Sequence, residues 1–276
     1  MEKIPTFMLI GSGFIMPRHA EAIHSVGGKI LEIVNTAHYR HEWERKLIQS
    51  RAHYVSILTP NHLHAEMAAR AIFENKTVLS EKPLGISSQE IARLIDEEKK
   101  GARIFTVLQL RHHPLVKKLK QQINLTREYE VTLDISVYRD AAYYSGWKGN
   151  AAHSGGILFN LGSHYFDLIT YLFGMPEKVT SVEGDEKTMQ GILEGKNFHC
   201  DWRISTDAPR DDQKRIFRLN GHNCNFSSKD NLSYENLHYY VYKDLIEGKG
   251  ALPSEVLPST FLIESIYDAF KKRRVV

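Results

Sequence analysis

Leu79-Ser80-Glu81-Lys82-Pro83-Leu84-Gly85 decides how this 276-residue chain is to be read. Thr77-Val78-Leu79 before it is a β-branched, apolar run of the kind that forms a buried strand, and the Pro83 ring cannot continue a ladder. Glu81 and Lys82 therefore stand at the carboxyl end of a strand. In an open parallel sheet ligands bind at that edge, so Lys82 is a candidate for chemistry as well as for an ordinary surface turn.

Toward the N-terminus, Phe7-Met8-Leu9-Ile10 runs straight into Gly11-Ser12-Gly13-Phe14-Ile15-Met16 and then into a helical pattern from Arg18 to Val26. Strand, glycine turn and helix are the setting of a dinucleotide fingerprint. Gly11 permits the tight turn, Gly13 lets backbone approach a pyrophosphate, and the helix N-terminus favours the anion. Met16 occupies the third small position. A second strand, Ile30 to Val34, ends at Asn35, where NAD enzymes commonly place an acid on the ribose; an amide still hydrogen-bonds there but brings no charge. The connection to Tyr54-Val55-Ser56-Ile57-Leu58-Thr59 is too short for another strand, which predicts a trimmed adenosine half. Thr59-Pro60-Asn61 closes that strand, and His64 follows as either a ligand contact or a plain residue of the next helix. Ser87 and Glu90 have capping-box spacing. Ile104 to Leu108 form a further strand that ends in Gln109-Leu110-Arg111-His112-His113-Pro114.

After Pro114 the pattern changes. A helix near Leu115 to Ile123 leads to an alternating strand, Tyr129 to Tyr138, and a loop carries Tyr143, Tyr144, Trp147 and Lys148. Gly155-Gly156 then opens a helix on which Asn160 and His164, four apart, share a face with room for one ligand. More strands follow Lys178, with helices near Tyr234 to Glu247 and Ser259 to Lys271. The expected fold is α/β. Residues 1–112 form a Rossmann-type, doubly wound parallel sheet, and residues 113–276 an α/β domain on an open, mostly antiparallel sheet.

The composition narrows the function. With 36 basic and 33 acidic residues spread along the chain, the net charge of +3 argues against nucleic acid and suits a small anionic substrate. Cys200 and Cys224 have neither CxxC spacing nor histidines at ligand spacing, so no disulfide framework and no metal site is expected. The first ten residues lack a signal peptide's basic start and long apolar core, and no apolar run approaches a membrane span. A cytoplasmic protein without a membrane partner is expected.

The glycine turn, Thr59-Pro60-Asn61 with His64, Glu81-Lys82-Pro83, and Gly155-Gly156 with Asn160, Gly162, His164 and Asp167 together resemble the Gfo/Idh/MocA oxidoreductases over nearly the whole chain. More narrowly, Val107 to Pro114, Tyr144-Ser145-Gly146-Trp147-Lys148-Gly149 and Ser154-Gly155-Gly156 with Asn160 look like the bacterial UDP-N-acetylglucosaminuronate 3-dehydrogenases of the WlbA/WbpB type. Many relatives have aspartate where this chain has Asn160. The resemblance implies NAD, with NADP left open. It places the cofactor on Gly11, Gly13, Phe14, Ile15, Asn35, Thr59, Pro60, Asn61, His64, Glu81, Lys82, Gln109 and Trp147. It also implies a nucleotide-sugar substrate held by Arg111, Lys148, Asn160 and His164 and oxidised at its 3-hydroxyl for lipopolysaccharide sugar synthesis. Lys82 and His164 are expected to be the catalytic pair, with either as the base, and the resemblance implies that the second domain serves substrate binding and the contacts of a homodimer or homotetramer. Met16, Asn35 and the short connection before Tyr54 depart from the family pattern, all in the cofactor half. Two other readings remain open: a dehydrogenase or ketoreductase of another sugar or cyclitol, and a non-catalytic dinucleotide-binding sensor or assembly subunit.

Overall fold

The computed structural model describes residues 4–36, 42–224 and 237–273. The chain begins with β1 (Thr6–Ile10), α1 (Met16–Ser25), β2 (Lys29–Val34), α2 (Glu42–Gln49), β3 (Tyr54–Ile57), α3 (His64–Phe73), β4 (Thr77–Ser80), α4 (Ser88–Lys99) and β5 (Ile104–Thr106). The strands pair in parallel in the order β2-β1-β3-β4-β5. Strand order reverses between β1 and β3, so the carboxyl ends of these two strands form a topological switch point. Among the described residues no strand lies outside β2, whose Leu31 and Ile33 are 42% and 41% exposed. The adenosine half is trimmed there, as the short connection before Tyr54 implies.

Alternation along the strands sorts the core into two layers. Met8, Ile10, Val55, Ile57 and Val78 pack with Trp43 and Leu47 of α2, Ala68 of α3, and Ile91 and Leu94 of α4. Phe7, Leu9, Leu79 and Phe105 face the other way, toward Ala22 and Ile23 of α1. Because both faces are covered, β4 is buried at all of its positions, which explains its β-branched and apolar run Thr77-Val78-Leu79. At the start of α4 the Ser87 hydroxyl accepts the Glu90 N–H at 3.2 Å. The Glu90 carboxylate accepts the N–H of Ile86 at 2.8 Å, one residue earlier than in the usual capping box.

The chain continues through α5 (Pro114–Gln122), β6 (Tyr129–Ser136), α6 (Ala141–Ser145), α7 (Ala151–Ser154), a π turn at Leu158–Gly162, and α8 (Ser163–Phe173). β7 (Lys178–Gly184), β8 (Thr188–Glu194), β9 (Phe198–Ser205), β10 (Lys214–Leu219) and β11 (His222–Asn223) complete a second sheet, ordered β11-β10-β6-β9-β8-β7. Only β6 and β9 pair in parallel among the described strands of this sheet. Along β6 the side chains of Val131, Leu133 and Ile135 are buried, and α8 supplies Phe166, which meets Trp202 of β9 edge-on with ring centroids 5.5 Å apart. A Cβ at Gly162 would lie 2.9 Å from that Phe166 ring, so this glycine makes room for core packing.

Two helices follow, α9 (Leu237–Ile246) and α10 (Pro253–Arg273). Residues 234–236, where the sequence predicts the start of the first of them, lie outside the described residues. The chain divides into two compact units, Met1–His112 with Asn231–Leu257, and His113–Asp230 with Pro258–Val276. A second domain running over all of 113–276 is therefore too long. The physical reason is the open half of the first sheet: α1 alone does not cover it, and Val241, Tyr242 and Leu245 of α9 complete the layer around Phe7, Leu9 and Leu79. The Thr106 N–H also bonds the Ala251 carbonyl at 2.9 Å, tying the returning chain to the edge strand β5.

Gly11 has φ +110°, and a Cβ there would sit 2.5 Å from the Leu58 carbonyl oxygen. Gly11→Ala is expected to cost at least about 2 kcal/mol in urea denaturation, since it adds left-handed strain to a backbone clash. An unchanged midpoint would show that the turn relaxes freely.

Candidate active site

The glycine turn is built for close approach. A Cβ at Gly13 would meet nothing within 4 Å, whereas Gly11 is locked against Leu58. The start of α1 has no side-chain cap and no acidic residue in its first turn. The open space over Gly13, beside the first turn of α1, fits a pyrophosphate. Phe14 is 76% exposed beside the turn, and Ile15 and Met16 pack against the Phe7 and Leu9 layer. A thioether therefore fills the gap that a third glycine would have closed. Asn35 is exposed just past β2. These residues fit a dinucleotide whose ribose is met by an amide.

At the end of β3, Thr59 and Asn61 are buried and Asn61–Leu63 forms a 3-10 turn. His64, offered by its sequence as a ligand contact or a plain helix residue, joins two turns. It is 1% exposed, its Nδ1 lies 2.6 Å from the Pro83 carbonyl oxygen, and its Nε2 lies 2.7 Å from the Thr59 carbonyl oxygen. It is a strut joining the turns after β3 and β4. Burial lowers its pKa even though both carbonyl oxygens favour the protonated ring.

Glu81 is the anchor of the next turn. Its N–H bonds the Ile57 carbonyl at 2.9 Å, and its carboxylate Oε2 accepts the Lys82 N–H at 3.3 Å. Oε1 lies 2.9 Å from His19 Nε2 on α1 and 3.8 Å from His238 Nε2 on α9. His19 Nδ1 is 2.8 Å from the Tyr242 hydroxyl, which is 2.8 Å from Ser56 Oγ. Burial alone would raise the Glu81 pKa, but the two histidines hold it well below the usual carboxylate range. Burial lowers the His19 pKa, against the pull of Glu81. The sequence reading missed His19, His238 and Tyr242.

Gln109 is buried in the 3-10 turn Gln109–His112. Arg111, expected at a substrate oxyanion, lies beside Glu255: Nη1 is 3.5 Å from its carboxylate and Nη2 3.4 Å from its carbonyl oxygen. The first turn of α10, which returns to this unit, supplies that partner.

The second unit collects its own cluster. Asp140 caps α6 by accepting the Tyr143 N–H at 3.0 Å, which fixes where the Tyr143 ring begins. The Tyr143 hydroxyl accepts from Asn160 Nδ2 at 2.5 Å, and burial raises the phenol pKa. Arg139 lies over the Tyr143 ring at 5.4 Å. Lys148 Nζ stands 6.0 Å from that ring and 5.7 Å from the Trp147 ring. Burial, and then the Arg139 charge, lower the Lys148 pKa. Asn160 sits on the π turn and His164 in the first turn of α8, so the helix expected after Gly155-Gly156 is present with the π turn inside it. π turns recur at functional sites. Trp147 belongs to this cluster, and Arg139 is the residue here that the sequence did not single out.

A parallel sheet with a glycine turn at its switch point, joined to a mixed-sheet unit, defines a dinucleotide-binding oxidoreductase architecture. The model for the oxidoreductase family, NAD-binding Rossmann fold, matches residues 6–109, and that for the family's C-terminal alpha/beta domain matches residues 120–244. The crystal structure of the WlbA (WbpB) dehydrogenase from Thermus thermophilus, in complex with NAD and UDP-GlcNAcA, is similar with TM-score 0.84 and 31% identity over 94% of both chains. The chain belongs to the Gfo/Idh/MocA oxidoreductase family. The WlbA dehydrogenase from Bordetella pertussis, 21% identical over 98% of this chain and 96% of its own, shares the fold with TM-score 0.81. Glucose-6-phosphate 3-dehydrogenase from Bacillus subtilis is 29% identical over 73% of this chain. The scyllo-inositol 2-dehydrogenase (NADP(+)) IolW of the same organism is 28% identical over 51% of it. The matches span 57% and 40% of these two relatives, and 32% of another B. subtilis oxidoreductase, YteT. No described helix is long and apolar enough to cross a membrane.

Because the folded Glu81 pKa lies below the 4.5 of an ordinary glutamate, its charge stabilises the fold above about pH 4.5, and that contribution is lost as the pH falls further. Wild type is therefore expected to exceed Glu81→Gln in urea stability at neutral pH, by a margin that narrows below about pH 4.5. A margin independent of pH would contradict an ionised Glu81.

Proposed function

We propose that the chain is an NAD-dependent dehydrogenase of an anionic nucleotide sugar, oxidising the 3-hydroxyl of a UDP-N-acetylglucosaminuronic acid for surface-polysaccharide synthesis. The observation that carries this reading is the likeness to the T. thermophilus dehydrogenase, crystallised with NAD and UDP-GlcNAcA, over 94% of both chains. The cationic pair Arg139 and Lys148 on the Tyr143 ring adds to it, since guanidinium and ammonium groups suit carboxylate or phosphate oxygens.

Gly11, Gly13 and the start of α1 hold the pyrophosphate, with Asn35 at the ribose. When bound, NAD supplies the electrophilic ring carbon that takes up hydride from the carbinol. As that hydride leaves, the hydroxyl proton must pass to a base of the chain. Lys82, at the carboxyl end of β4, and His164, in the first turn of α8, are assigned to this transfer. One accepts the proton and the other holds the oxygen on which charge develops. Asn160, whose Nδ2 donates to the Tyr143 hydroxyl, is assigned to a sugar hydroxyl.

The curated relatives that act on inositol and glucose 6-phosphate favour a second reading, a dehydrogenase of another sugar or cyclitol. A panel of UDP-sugars, sugar phosphates and inositols, followed by absorbance of the reduced cofactor, separates the two. The anionic UDP-sugar is expected to give the highest kcat/KM; preference for a free polyol would overturn the nucleotide-sugar assignment.

Lys82→Met and His164→Asn are each expected to lower kcat by about 10²- to 10⁴-fold with unchanged circular dichroism. Near wild-type turnover in both would remove them from the chemistry. Lys148→Met is expected to raise KM for the acidic substrate about tenfold with little change in kcat. An equal rise for a neutral UDP-sugar would argue against recognition of charge.

A further inference from the structure

His238 is buried, at 1% exposure, and neither of its ring nitrogens has a hydrogen-bond partner among the described residues. Such burial is unfavourable unless the ring serves another purpose. Its Nε2 faces Glu81 Oε1 at 3.8 Å, just beyond hydrogen-bond reach, and its ring stands edge-on to His19 with centroids 5.0 Å apart. The other Glu81 oxygen accepts the Lys82 N–H.

We propose that His238 is a positioning residue for Lys82: carried back into the first unit by α9, it closes with His19 on the Glu81 carboxylate and through it fixes the Lys82 main chain. This rests on Lys82 acting at the reacting hydroxyl. A carboxylate oxygen that already accepts from His19 has a second lone pair to offer, and a sub-ångström closure brings His238 into bonding range. The groups that face Glu81 are His19 from α1, His64 from α3, His238 and Tyr242 from α9, and Lys82 beside it. The Tyr242 hydroxyl is engaged by His19 and Ser56, and both His64 nitrogens by carbonyl oxygens. His238 is thus the imidazole left to complete the clasp. Removing it leaves burial less opposed, which pushes the Glu81 carboxyl toward the neutral form.

The test uses the full chain with His238→Leu and the donor-retaining His238→Gln. Carbon-13 NMR of labelled glutamate carboxyls, with Glu81 assigned by Glu81→Gln, needs neither substrate nor cofactor. In wild type the Glu81 carboxyl is expected to stay ionised below pH 4.5, and in His238→Leu to titrate at higher pH. In turnover of the UDP-sugar, kcat of His238→Leu is expected to fall about 10- to 100-fold while KM for NAD changes little. The acidic limb of its kcat profile should move up in pH, and His238→Gln should recover part of both effects. If both variants fold and neither the Glu81 titration nor the acidic limb moves, the proposal is overturned. His19, Glu81 and His238 also offer atoms within 4.8 Å of one another to a metal ion. One equivalent of zinc by elemental analysis of wild type, lost in His238→Leu, would overturn the clasp in favour of a metal site. A shifted Glu81 titration without oxidation of any tested sugar would retire the dehydrogenase reading and leave the clasp standing.

Discussion

A carboxylate taken out of water must be compensated or it takes up a proton, and Glu81 is compensated by groups from two helices far apart in sequence. His19 reaches it from α1 and His238 faces it from α9, while Tyr242 and Ser56 hold His19 from behind. The turn after β4, the angle of α1 on the sheet and the return of α9 are thus one linked solution. The strut of His64 ties the same turn to the end of β3. Two independent sets of polar contacts therefore fix the backbone that presents Lys82.

The second unit meets a different demand. It gathers positive charge on aromatic faces, with Arg139 and Lys148 against Tyr143 and Trp147. Burial, and then the nearby Arg139 charge, weaken the hold of Lys148 on its proton, and the proposed acidic substrate would offset both. Asp140 caps α6, which carries Tyr143, and Asn150 caps α7, which the left-handed Gly155 ends.

The parallel sheet was legible because its signals are local: strands that stop at glycine, proline or polar residues, and a capping pair at Ser87 and Glu90. Glu81 and Lys82 could be placed at a strand end for the same reason. The clasp was not legible, because His19 and Tyr242 are separated by 223 positions and nothing in the pattern around His238 marks a partner in the first sheet. The Glu255 neighbour of Arg111 was hidden for the same reason, since the returning chain supplies it. The π turn under Asn160 was hidden too, since one extra residue in a helical turn leaves the apolar spacing nearly unchanged. The change of pattern near Pro114 was visible, but a segment that leaves a unit and re-enters it looks the same, residue by residue, as one that stays away.

The two-segment construction of the first unit also sets a timetable for its birth. A ribosome releases β1 to β5 long before α9, so the layer that holds Phe7, Leu9 and Leu79 waits for Val241, Tyr242 and Leu245 while the whole second sheet is being made. At about 5–20 residues per second the delay is on the order of ten seconds. Throughout it, His19 and Glu81 have each other but not Tyr242, and an apolar face of the nascent sheet stands open. The half of the molecule translated first is the last that can be finished, and its early strands are the part of this chain that a chaperone would have most reason to hold.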